Sequence, residues 1–272
     1  MCIFTTKYNC QQHIWNVMET IRLLWLLGKV QAPVYALGIL GLIYYWDLSY
    51  LWLLLPGFIF CGVIGLEIAQ HRYFCHGSFT AKPGIYWFLL FASIFSVGGG
   101  PLYWSALHRT HHKTADTESD PHRPHDQPIL SFLHCNDRSR SEVNYRNVQD
   151  LVHKPGMIFL AEHYSKVYFT TLALVALISV KFCLYFLVLP GLITLWTSGI
   201  VNVLGHRGVG YRNFDTPDTS RNSKILNLIT FGGGNHHNHH YRPWSYTTKV
   251  HWYEHDLSGW IIKNFLAKEV KT

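Results

Sequence analysis

Charge is scarce in this chain. Only 14% of its 272 residues are Asp, Glu, Lys or Arg, against 49% hydrophobic and 15% aromatic, a balance unusual for a protein that lives in water. The six cysteines, Cys2, Cys10, Cys61, Cys75, Cys135 and Cys183, form no CxxC pair, which argues against a disulfide framework and for free thiols facing a reducing compartment. A net charge of +7 comes without any basic run, so nucleic acid is not expected as a partner. No GxGxxG, HExxH or haem-attachment signature occurs, which removes a built-in dinucleotide site, a zinc-peptidase base and a covalently held haem. Lys7, Tyr8, Asn9, Gln11 and Gln12 interrupt any apolar core near the start, so no secretory signal is expected. Internal repeats, low-complexity tracts and an independent second domain are likewise missing.

What the chain does have is long apolar runs. Ala32 to Tyr45 and Leu51 to Ile68 are nearly all apolar, with a break at Trp46, Asp47, Leu48 and Ser49; the pattern predicts a helical hairpin, with Pro56 kinking its second arm. A second pair runs from Val167 to Leu204, broken near Lys181 and again around Pro190 and Gly191. The expectation is an all-α integral membrane protein with four transmembrane helices arranged as two hairpins. Its segments are an N-terminal piece (1–30), the first hairpin (31–70), a long polar segment (71–166), the second hairpin (167–205) and a C-terminal piece (206–272), making one functional domain. Of the 23 Lys and Arg residues, only Lys181 falls in a proposed outer turn. Positive charge marks the cytoplasmic side, so both termini and the polar segments are expected there, forming a helical cap. The run Ile85 to Val97 is too short to span and reads as an interfacial or buried helix.

Among eighteen histidines, three clusters lie where these spans meet water. His71 and His76 follow the second run as HRYFCH. His108, His111 and His112 form HRTHH, and His236, His239 and His240 lie in NHHNHH. In HxxHH the imidazoles at i, i+3 and i+4 share a helix face, so each such box is expected to aim three at one point. Eight nitrogen ligands exceed what one ion takes, and neutral imidazole suits iron, zinc, copper or nickel; the expectation is a two-metal site. His237 points off the shared face. His13, His122, His125, His134, His153, His163, His251 and His255 read as ordinary histidines. Glu67, one turn before His71, is either a carboxylate that orients His71 or one that reaches the interface. Cys75 reads as packing.

HxxxxH after a hairpin, HxxHH, a second hairpin and a final HxxHH resemble the membrane fatty acid desaturases, especially the stearoyl-CoA and bacterial delta-9 group. Trp104 four residues before His108, Asp120-Pro121-His122 after the second box and Asn202 to His206 as NxxxH extend the resemblance, which covers roughly residues 30 to 255. It implies nine histidine ligands to two ferrous irons: His71, His76, His108, His111, His112, His206, His236, His239 and His240. It also implies Asn202 as a partner acting through water, and Trp104 as a candidate for positioning substrate. Two departures stand out. Cys75 and Gly77 replace residues that are often Ser and Arg, which leaves acyl-CoA, acyl carrier protein and membrane lipid open as the acyl carrier, and Gly233 stands where the third box usually has Glu.

An alkyl chain offers neither an acidic proton nor a leaving group, so acid–base or nucleophilic side chains cannot attack it. The resemblance implies that dioxygen, as co-substrate at two Fe2+ ions, desaturates a long acyl chain. With no redox domain of its own the chain needs an outside electron donor, such as cytochrome b5 or a ferredoxin, and its basic face suits an acidic carrier. A hydroxylase or monooxygenase of the same superfamily is the near alternative. A metal transporter would carry ionisable groups deep in its spans, which these runs lack. A bacterial inner membrane is preferred over the endoplasmic reticulum.

Overall fold

The computed structural model describes residues 30–122, 124–132, 134, 144–208 and 210–272; the expected N-terminal segment, except for Val30, therefore lies outside the described residues, as do Cys2, Cys10, His13 and Cys135. The described chain is mostly helical. Helix α1 covers Gln31–Tyr45. The chain breaks at Trp46 and Asp47 and re-enters helix as α2, Leu48–Cys75. After strand β1, Phe79–Ala81, come α3, Ile85–Ser96, and α4, Pro101–Thr114, bent by 75° relative to each other. A short α5, Pro128–Phe132, precedes the long α6, Met157–Ile178, and α7, Val180–Leu204. Short elements follow: α8, Lys224–Thr230, α9, His236–Tyr241, α10, Leu257–Ile261, and β2, Ala267–Val270.

Two of these helices, α2 and α7, are long and apolar enough to cross a membrane, and a third crossing exists if the bent pair α3–α4 is one span. At 15 residues α1 is shorter, while α6 has the length but carries Glu162, His163 and Lys166 in its first half. Large apolar side chains such as Ile39, Ile43, Leu177 and Ile178 lie exposed on α1 and α6. Close packing of α2 depends on small residues, as in membrane helices generally. A Cβ at Gly57 would lie 2.5 Å from the Phe186 carbonyl oxygen of α7, and one at Gly65 would lie 2.6 Å from that of Ala92 in α3.

The break between α6 and α7 falls at Ser179, beside Lys181 as expected. No second break occurs at Pro190, where the sequence predicts one: α7 runs straight through it. Wide π-type turns over Cys183–Val188 immediately precede the proline, and such a turn accommodates a residue that has no N–H to give. Similar π-type turns run along α2 from Ile59 to Cys75. At the opposite end of the helices from the histidines, Lys181 Nζ lies 2.5 Å from Asp47 Oδ2, tying the two turns together and holding the Asp47 carboxyl down at about 2. At the histidine end, β1 pairs antiparallel with β2, Phe79 facing Val270, so the C-terminal strand is fastened directly behind the end of α2.

Candidate metal centre

Four elements bring the histidines together. His71 and His76 close α2, and the π-type bond from the His76 N–H to the His71 carbonyl, 3.1 Å, explains their spacing: with i→i+5 bonding, residues five apart share a face. Helix α4 carries His108, His111 and His112, the end of α7 leads to His206, and α9 carries His236, His239 and His240. The nine side chains form two groups, each with its nitrogens within 4.8 Å of one another: His71, His76, His108, His112 and His239, and His111, His206, His236 and His240. Contrary to the single point expected for each HxxHH box, both boxes are shared. In α4 the i and i+4 imidazoles join the first group and the i+3 imidazole the second, and α9 does the reverse. Facing helices between two foci require this split.

Carboxylates fix the outer nitrogens. Nδ1 of His71 lies 3.2 Å from Glu67 Oε2, that of His111 2.9 Å from Asp120 Oδ1, that of His206 3.2 Å from Asp116 Oδ2, and that of His240 3.0 Å from Asp218 Oδ2. Burial acts to raise the Asp116 carboxyl, but bonds from His206 and Thr219 hold it at about 2; Asp120, also under opposing burial, is held below the usual carboxylate range by His111. An ionised carboxylate only accepts, so each Nδ1 carries the proton and each Nε2 presents a bare lone pair inward. Those lone pairs converge: His111 Nε2 and His240 Nε2 are 3.3 Å apart with no proton between them. Nε2 of His206 and His236 are 2.8 Å apart, and Nε2 of His112 and His239 likewise 2.8 Å. His76 Nε2 is buried without any hydrogen-bond partner. Burial, reinforced by the neighbouring rings, pushes His236, His239 and His240 well below the ordinary histidine range, keeping them in the neutral form that ligates. This donor set fits metal cations and leaves the converging lone pairs unsatisfied otherwise.

The supports of α9 are polar and buried. Asn238, the residue between its histidines, accepts bonds from Asn213 and Asn222 and donates to Glu254 and the Thr248 carbonyl. Burial acts to raise Glu254, and N–H bonds from His251 and Val250 hold it ionised. Arg72 donates both terminal nitrogens to Asp256 at 2.9 Å, binding the end of α2 to the loop before α10. Trp104 stacks on His108, ring centroids 4.6 Å apart. A cavity lined by Phe58, Leu66, Trp104, Leu195, Val201 and Asn202 runs up to His71, His108, His236 and His239.

Three carboxylates of this centre, Asp116, Asp120 and Asp218, are not singled out as His partners by the sequence. Asp116 and Asp120 follow the second box within a turn or two, a position where a histidine ligand's carboxylate partner is worth seeking; Asp218 offers no such cue. His122, read as an ordinary histidine, packs against His111 at 4.7 Å and lines the cavity. His237 is turned away, bonded to Ser220 and Phe214.

Two apolar helices long enough to cross a bilayer, closed at one end by a histidine cluster able to bind metal, fit a membrane protein with a metal site. Comparison with known proteins specifies it further. The fatty acid desaturase family model matches residues 50–272, and the chain belongs to that family. It is 29% identical to an acyl-CoA 5-desaturase of Anemone leveillei over 82% of this chain and 72% of that protein. It is 29% identical to delta-9 acyl-lipid desaturase 2 of Arabidopsis thaliana over 84% and 76%. To the sn-1 stearoyl-lipid 9-desaturase of Anabaena variabilis it is 28% identical over 72% and 73%. The protein is an oxidoreductase that acts as a fatty acyl desaturase.

Proposed function

We propose that this desaturase introduces a cis double bond at the delta-9 position of a long saturated acyl chain, at a diiron centre held by His71, His76, His108, His112 and His239 on one side and His111, His206, His236 and His240 on the other. The observation that carries the reading is the convergence of nine imidazoles into two groups, four of them with Nδ1 against a carboxylate so that Nε2 faces inward. Two of the relatives are named as 9-desaturases, which supports the position. Bound there, two ferrous ions with dioxygen supply the oxidising power that unactivated C–H bonds require. The chain's own residues do the positioning. Glu67, Asp116, Asp120 and Asp218 fix the imidazole tautomers, and Trp104 restrains His108 while walling the cavity. Asn202, buried on the α7 wall, is the water-mediated partner of the centre. Phe58, Leu66, Leu195 and Val201 hold the alkyl chain beside the histidines and exclude water.

The protein spans the bilayer four times, through α1, α2, α6 and α7, with both termini and the histidine cap on the cytoplasmic side of a bacterial inner membrane. A long acyl chain arrives on CoA, acyl carrier protein or membrane lipid, and cytochrome b5 or a ferredoxin delivers electrons to the basic face. Metal analysis of the purified full chain from iron-replete cells tests the centre. Two irons per chain are expected, with turnover only when a reduced donor is added; zinc alone, or one iron at saturation, contradicts the proposal.

A further inference from the structure

Gly233 sits in the loop between α8 and α9, three residues before His236. Its neighbour Gly232 has φ 133° and needs to be glycine for that reason, whereas Gly233 is not among the glycines with positive φ. Backbone conformation therefore does not require glycine at 233; the closeness of two side chains favours it. A Cβ there would lie 3.1 Å from Glu67 Oε1 and 3.2 Å from Thr230 Oγ1. Glu67 comes from the opposite wall, on α2, and its other oxygen, Oε2, meets His71 Nδ1 at 3.2 Å. Its side chain is 20% exposed and lines the cavity that reaches the histidines. The Arg72 guanidinium is engaged by both oxygens of Asp256, and the hydrogen-bonded partner of Glu67 is His71.

We propose that Glu67 and Gly233 are a matched pair: α2 supplies a carboxylate that aims His71, and the third-box loop gives up its side chain to admit it. A glutamate at 233 carries its carboxylate two bonds beyond a Cβ that already touches the Glu67 oxygen. Turned toward α2, it would compete with Glu67 for the space beside His71. Glu67 is a positioning residue that acts through His71. This rests on the diiron reading.

The exchange is directly testable with the full-length protein in detergent, in wild-type, Glu67→Ala, Gly233→Glu and Glu67→Ala/Gly233→Glu forms. Iron retained per chain is followed during a timed chelator challenge, together with the visible spectrum of the cobalt-substituted protein. Losing the partner of a ligating histidine weakens metal binding on the order of 10- to 100-fold. Glu67→Ala is expected to release one of two irons faster by about that factor, with an altered cobalt spectrum. The double variant should recover most of the retention, while Gly233→Glu alone, which crowds two carboxylates together, should not exceed wild type. Glu67→Gln, close to wild type in shape, covers the case in which Glu67→Ala fails to fold, and should lose iron faster than wild type. The proposal is overturned if a folded double variant loses iron as fast as Glu67→Ala, or if Glu67→Gln matches wild type in retention and spectrum. A wild-type chain that binds no iron removes the diiron reading and this pair with it.

Discussion

At the scale of single residues, the centre depends on neutral imidazoles held in one tautomer. Asp120 is buried and bonded to His111 Nδ1. Replacing it with Ala leaves that nitrogen without an acceptor and frees the ring to present either nitrogen; metal affinity is expected to fall on the order of 10- to 100-fold, read by competition with a chelator of known strength. Arg72 and Asp256 work differently, since both side chains are only 1% exposed and neither touches the histidine nitrogens. Burial acts to raise Asp256, and Arg72 with the Gly259 and Thr248 N–H groups holds it below the usual 3.8. A carboxyl depressed on folding stabilises the protein above its unfolded pKa, and that contribution is lost as pH falls through its folded value. Asp256→Asn leaves Arg72 buried without its hydrogen-bonded counter-charge, which costs about 3–5 kcal/mol. The difference in melting temperature from wild type should be full at pH 7 and narrow below pH 4.

At the scale of elements, the break before α2 and the turn near Lys181 are legible because Asp47, Ser49 and Lys181 interrupt apolar runs. The histidine clusters are legible too, since imidazoles at i, i+3 and i+4 stand out against apolar flanks. Less visible is how each box divides, because the direction of a side chain between two foci is set by the facing helix and not by spacing along its own. The passage of α7 through Pro190 escapes sequence reading for a related reason: π-type turns leave no mark in the order of residues. Asp218 comes to His240 from a loop distant in sequence, with nothing local to reveal it. The same π-type turns explain why HxxxxH works, and they make a prediction. Inserting an alanine after Tyr73 widens the spacing to six, which separates His71 and His76 onto different faces in α- or π-type winding alike, so the first group should lose its metal while the protein still inserts; iron per chain should drop from two to one. Gly57 tests packing. Gly57→Leu drives a side chain into the Phe186 carbonyl, and this overpacking should cost about 1–3 kcal/mol, read as a lower melting temperature in detergent.

Across the whole molecule, the histidine cap lies at one end of the helices and the Asp47–Lys181 bridge at the other. In the proposed topology, a single cysteine placed at Ser49 of an otherwise cysteine-free variant should react with an impermeant maleimide from the outer side, and one at Thr272 only after permeabilisation. The reverse pattern would invert the protein and move the centre away from cytoplasmic electron donors. The central claim, though, is the chemistry done at the centre, and one measurement tests it most directly: mass spectrometry of total fatty acids, with double bonds located, from a desaturase-deficient host expressing this chain or its His239→Ala variant. The account predicts new monounsaturated chains with the bond at carbon 9, made by the intact protein and absent with His239→Ala; hydroxylated chains in their place, or unsaturated products that persist in the variant, would contradict it.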